Sequence, residues 1–139
     1  MPGFRGCRSI DQMAAEPTLK RGESIVVNYT DLTTGKGAQH WVCAYRTKEG
    51  MQFFDSFGSE PSPTLLNWLR QAGRRIRYNT VDIQSFDSVA CGWYCIHVLR
   101  QLAEGRSLED VCDDFAAFHT WDLDVVRGND ERLAKMLAE

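Results

Sequence analysis

QSFDSVACGWYC, residues 84–95, decides how the rest of the chain is read. Two cysteines four apart flank Gly-Trp-Tyr, and Gln84 stands seven positions ahead of Cys91. From Cys91 to Glu104 the sequence reads as a helix closed by Gly105. Its polar residues His97, Arg100, Gln101 and Glu104 fall at i, i+3, i+4 and i+7, one stripe assigned to solvent. Cys91, Cys95, Val98, Leu99 and Leu102 lie off that stripe and are assigned to the interior. A cysteine that opens a helix meets unpaired backbone N–H groups and a partial positive charge, which favour the thiolate. Cys95, one turn deeper, has no such advantage. The plainer reading makes both of them buried apolar residues. Other segments of the chain have to decide.

HWVCAYR (40–46) and MQFFDSF (51–57) read as strands joined by a Glu49-Gly50 turn, and SIVVNY (24–29) as a strand before them. Across the polar turn segment 30–39, the three suggest an antiparallel meander. His40 starts one strand and Asp55 ends the next, so the hairpin can present an imidazole and a carboxylate side by side. Such a carboxylate fixes the tautomer of the ring and holds it toward a sulfur. Gln84, between a strand and the helix, can donate its amide to an oxyanion together with the Cys91 N–H. Singly, each has an ordinary alternative: a structural histidine, a turn-capping aspartate, a loop glutamine. In the order His, Asp, Gln, Cys they form a specific constellation for a cysteine nucleophile.

The remaining elements complete an α+β class. Residues 1–23 are turn-rich, with a short helix at Ser9–Ala15. SEPSP (59–63) breaks the pattern, and a helix runs from Thr64 to Ala72 between Pro63 and Gly73. IRYNTVDI (76–83) reads as a strand. Further helices are read from Ser107, with Asp110 completing a capping box, to Phe118, and from Asn129 to Leu137. The whole chain, 1–139, is one domain: an antiparallel sheet packed on a central helix that starts at the nucleophile.

Composition fits that reading. Hydrophobic content of 43% and charged content of 25% are ordinary for a globular domain, and a net charge of −3 does not suit a strongly basic nucleic-acid binder. No apolar run reaches a membrane span, and MPGFRGCRSIDQM has no apolar leader core, so export by the general route is not expected. Five cysteines in no repeated spacing match neither a disulfide scaffold nor paired zinc ligands. A reducing compartment follows, with no metal and no cofactor called for.

At CGWYC, with Gln84 ahead of it, HW at 40–41 and FDSFG at 54–58, the chain resembles the adenovirus-type cysteine endopeptidases. Their clan includes the proteases of ubiquitin-like proteins. IVVNYTDLTTGKGAQHWVCAY and VRGNDERLAKML are similar to further segments, so the likeness runs from Phe4 to Leu137. It implies a papain-like fold with the histidine preceding the cysteine. It also implies Cys91 as nucleophile, His40 as general base and acid, Asp55 as the orienting carboxylate and Gln84 in the oxyanion hole. Trp41 and Gly92 would border the substrate, although a core role for Trp41 stays equally open. The adenoviral enzymes carry Glu where this chain has Asp55, and Asp is the choice of the ubiquitin-like-protein proteases. Activation by DNA and a disulfide-linked peptide does not transfer, because no cysteine matches the attachment position.

The resemblance implies an endopeptidase from a virus or mobile element that matures capsid or core precursors at Gly-containing sites. It would act as a monomer in the nucleus or cytoplasm, or packaged in the virion. A protease removing ubiquitin-like tails is the alternative within the same chemistry. Clan relatives that acetylate proteins share the triad, and a silent binding module is the alternative outside catalysis. Arg74, Arg75 and Arg77 could follow a DNA backbone, but a solvated strand edge is the favoured reading. His97 and His119 are read as surface or structural.

Overall fold

A computed structural model describes residues 2–30, 40–73, 75–80, 91–115 and 123–138, with 123–128 by backbone only. Five strands, β1 (Phe4–Ser9), β2 (Ser24–Asn28), β3 (Trp41–Thr47), β4 (Gly50–Phe54) and β5 (Ile76–Tyr78), form one sheet in sequence order. The central meander is antiparallel as expected, with Val26 opposite Cys43 and Cys43 opposite Phe54. Both edges differ from the all-antiparallel expectation: β1 runs parallel to β2, and β5 parallel to β4. Each of these two connections carries a helical crossover, a 3-10 helix at Ile10–Ala15 in the first and α1 (Pro63–Arg70) in the second. A crossover returns the chain to the same end of the sheet, so its strand enters parallel.

Both faces of the sheet are covered. On one face Val26, Cys43 and Phe54 pack with Cys95, Val98, Leu99 and Leu102 of α2 (Cys91–Ala103). Val111 of α3 (Leu108–Cys112) and Leu133 of α4 (Leu123–Ala138) join that cluster. On the other face Ile25, Val27, Val42 and Phe53 meet Met13, Leu65, Trp68 and Leu69. Alternation along β2 sends Val26 one way and its two neighbours the other. Burial on both sides explains why IVV (25–27) is an unbroken apolar run.

Local chemistry sets the helices. Ser62 Oγ accepts from Leu65 N at 3.4 Å with Pro63 in the first turn of α1, and Ser107 Oγ accepts from Asp110 N at 3.1 Å to start α3. α3 is shorter than expected, and α4 begins at Leu123 rather than Asn129. Gly50 is required at the hairpin: at φ +124° a Cβ would stand 2.8 Å from the Arg75 carbonyl oxygen, the acceptor of Met51 N. That close approach is where β5 joins β4.

The expected solvent stripe on α2 fails at His97. This residue is buried at 5% exposure, its ring set edge-on to Phe115 at 5.7 Å. Its Nε2 has no hydrogen-bond partner among the described residues, and the Asp114 carboxylate lies 4.0 Å away. Phe115 and Asp114, just past α3, stand against this side of α2 and take His97 out of water, as only tertiary packing can. Arg100 stays exposed, as assigned. The turn segment 31–39, residues 81–83 of the expected fifth strand, Arg74, Gln84, the expected helix end at Phe118, and His119 lie outside the described residues.

Candidate active site

The meander and α2 bring His40, Asp55 and Cys91 together at one end of the sheet. His40 directly precedes β3, Asp55 directly follows β4, and Cys91 is the first residue of α2. His40 Nε2 and Asp55 Oδ1 lie 2.7 Å apart, both residues buried. With Nε2 engaged, Nδ1 is the ring nitrogen left to face the sulfur, and His40 and Cys91 stand close enough to shift each other's protonation. Continuing the β3–β4 register three pairs past Cys43–Phe54 sets His40 opposite Phe57. The two rings stack there with centroids 4.2 Å apart and planes 13° from parallel.

Asp55 does two jobs. The same Oδ1 that meets His40 accepts from Phe57 N at 2.8 Å, and the Asp55 carbonyl accepts from Gly58 N at 2.8 Å. The turn-capping role considered for this residue is therefore filled, and the turn aims the same carboxylate oxygen at His40. Asn79, just after β5, was absent from the sequence reading. Its Oδ1 accepts from Asp55 N at 3.0 Å and its Nδ2 donates to the Asp55 carbonyl at 2.6 Å. The sequence sets Asn79 inside the expected strand 76–83, with no spacing that ties it to His40, Asp55 or Cys91.

Cys91 and Cys95 separate clearly. Cys91 Sγ accepts from Trp41 N at 3.5 Å. Burial pushes its thiol up, but hydrogen bonds from His40 and the backbone N–H of Trp41, the His40 charge and the Gly92 N–H together hold it below its ordinary value. Burial likewise disfavours the charged His40 ring, yet hydrogen bonding to Asp55 and Cys91 lifts it to about 9. Both shifts favour a thiolate–imidazolium pair. Cys95 instead donates its S–H to the Trp41 carbonyl at 3.4 Å, and complete burial pushes its thiol far up. One strand residue thus offers a donor to the first sulfur and an acceptor to the second.

Trp41 is half-buried against the α2 cluster, and its ring lies 3.8 Å from where a Cβ on Gly92 would stand. Core packing and a wall beside the nucleophile are compatible in that position. Trp93, two residues past Cys91, is 60% exposed. Among the described residues no group of three or more His, Cys, Asp or Glu is placed to hold a metal, and no helix is long and apolar enough to cross a membrane.

No family model and no curated protein sequence matches the chain. Among solved structures, the selenomethionine form of the ASFV pS273R protease is similar at a TM-score of 0.61 and 17% identity, over 96% of this chain and 59% of that one. A second structure of the ASFV pS273R protease gives a TM-score of 0.53 and 18% identity, over 85% of this chain and 43% of that one. The chain thus spans well under two thirds of the protease it matches. Its fold is the papain-like cysteine-protease fold of that viral enzyme.

Proposed function

We propose that the chain is a cysteine peptidase using Cys91, His40 and Asp55. The observation that carries this reading is the 2.7 Å His40–Asp55 contact, beside a cysteine at the first turn of a 13-residue helix whose Sγ accepts from the backbone N–H of Trp41, the residue next to His40. In the cleavage step the Cys91 thiolate attacks the scissile carbonyl carbon. As the C–N bond breaks, the His40 imidazolium gives its proton to the leaving amine, and a thioester remains. Neutral His40 then takes a proton from water, whose oxygen attacks the thioester, and Cys91 leaves as the thiolate. The Cys91 backbone N–H and the Gln84 amide are the proposed oxyanion donors. Asp55 keeps Nε2 protonated and stabilises the imidazolium.

We further propose an endopeptidase acting on viral capsid or core precursors at Gly-containing sites, in the host nucleus or cytoplasm or within the virion. The Trp41 ring against Gly92 supports small residues at the scissile bond, because the wall stands close to the nucleophile. Asp55, in place of the adenoviral Glu, favours a second reading as a protease of ubiquitin-like tails. Incubation with fluorogenic Leu-x-Gly-x and Leu-x-Gly-Gly peptides, beside intact ubiquitin-like precursors, separates the two. Peptide cleavage without precursor processing supports the first, and the reverse supports the second. Absence of any Cys91-dependent cleavage removes both.

A further inference from the structure

Cations converge at the end of β3, β4 and α2 opposite Cys91. Arg21 precedes β2, Arg46 and Lys48 flank the β3–β4 turn, Arg77 lies on β5 and Arg106 follows α2, and all line one open cavity of 370 Å³. Among the described residues Glu49 is the single carboxylate on that lining. Two of the five cations are already committed. Arg106 forks onto Asp114 at 2.7 and 3.0 Å, and Arg46 Nη1 donates to the Leu19 carbonyl at 2.8 Å. The side chains of Arg21, Lys48 and Arg77 make no ion pair or side-chain hydrogen bond among the described residues. Arg75 is a fourth such side chain, in an adjoining 280 Å³ cavity that shares Arg21, Arg46 and Lys48.

In a chain of net charge −3 this concentration of one sign is local. The partial negative charge at the C-terminal end of α2 accounts for a cation such as Arg106 nearby. It does not account for Arg21 or Arg77, which belong to the sheet side. Like charges gathered at a concave surface repel one another and focus a positive potential, which an anion relieves. We propose that this cavity binds a compact polyphosphate anion. The cations surround a hollow from separate segments of the chain instead of standing in a row, as tracking a nucleic-acid backbone would require. Tyr45 and Leu102 give the lining an apolar part. The site is remote from the triad: the seven residues of β3 and the 13 of α2 each span roughly 20 Å. Binding there is independent of the cleavage chemistry and does not compete with a substrate at Cys91.

Titration calorimetry of the full chain with sodium tripolyphosphate tests the site. One saturable event is expected, weakened by added salt. Lys48→Glu with Arg77→Glu should reduce affinity by about tenfold or more, while Arg70→Glu, on the exposed side of α1, leaves it unchanged. Lys48→Ala, on an exposed turn residue, provides a milder variant if the double reversal does not fold, and it too should weaken binding. ATP binding more tightly than tripolyphosphate would identify a nucleotide as ligand, and equal affinity would identify the phosphate chain alone. The proposal is overturned if tripolyphosphate does not saturate, or if binding survives the Lys48 and Arg77 substitutions. It is equally overturned if only oligonucleotides bind, with affinity rising with length.

Discussion

Asn79 brackets Asp55 from both sides, accepting from its backbone N–H at 3.0 Å and donating to its carbonyl at 2.6 Å. The residue whose carboxylate meets His40 is thus fixed at its own backbone by an asparagine just past the neighbouring parallel strand. β4 ends at Phe54, so Asp55 has left the sheet ladder when it meets His40. The asparagine amide replaces the lost strand partner.

Asn79→Ala should therefore fold, at a cost of about 1–3 kcal/mol for the orphaned buried groups. Its kcat should fall by roughly tenfold to a hundredfold through misplacement of the triad. Asn79 acts through Asp55, so the pH at which cleavage fails on the alkaline side should also drop. A variant with wild-type kcat and an unmoved pH profile would leave Asn79 a purely structural clamp.

The two cysteines of CGWYC should behave oppositely. Cys91→Ala should abolish cleavage, whereas Cys95→Ala should retain it, because the Cys95 S–H is turned to the Trp41 carbonyl and burial pushes its thiol far up. Limited iodoacetamide treatment followed by peptide mapping reads this directly. Modification mainly at Cys95 would reverse the assignment.

The grouping of His40, Asp55 and Cys91 was legible because it lies where local rules are strongest. A hairpin sets His40 beside Asp55, and the helix beginning at Cys91 supplies N–H groups whatever the rest of the fold does. The parallel edges were not legible. FRGCRS has a glycine and two arginines three apart, and it becomes β1 only because a crossover returns the chain beside β2. Gly6, at φ +87°, sits where the β1 register slips between Phe4 and Cys7. His97 was misplaced for a related reason: helical period places it with Arg100 and Gln101, but Phe115 then covers it. Asn79 was invisible because its partner is 24 residues away across a parallel pairing.

Burial holds His97 below its ordinary value of 6.5, against the raising effect of Asp114. The unfolded chain therefore takes up a proton that the native state refuses, and this part of the stability is lost as pH falls below 6.5. His97→Leu should remove that dependence. Urea unfolding at about pH 7.5 and about pH 5 should show the variant gaining on the wild type at the lower pH. A difference independent of pH would mean that His97 ionises equally in both states.

Gln84→Ala should leave Cys91 open to alkylation yet slow turnover by about 10²–10³, the usual loss of one oxyanion donor. Wild-type turnover would remove Gln84 from the mechanism.

Charge at Asp55 sets the working pH range. Peptide cleavage needs the thiolate and the imidazolium together, so the rate should rise as Cys91 ionises, below the usual thiol range, and fall as His40 loses its proton at about 9. The two limbs belong to the coupled pair. Asp55→Asn keeps the shape and removes the charge. His40 then titrates lower and Cys91 higher, so the range narrows from both sides, and the imidazole can be held in the wrong tautomer. Cleavage should drop steeply, by up to about 10⁴-fold. Alkylation of Cys91 needs the thiolate alone, so it should shift to higher pH and still proceed on the alkaline side. Measuring both rates against pH in the two proteins separates charge from tautomer. Superimposable alkylation profiles with unimpaired cleavage would reduce Asp55 to its turn and leave a Cys91–His40 pair.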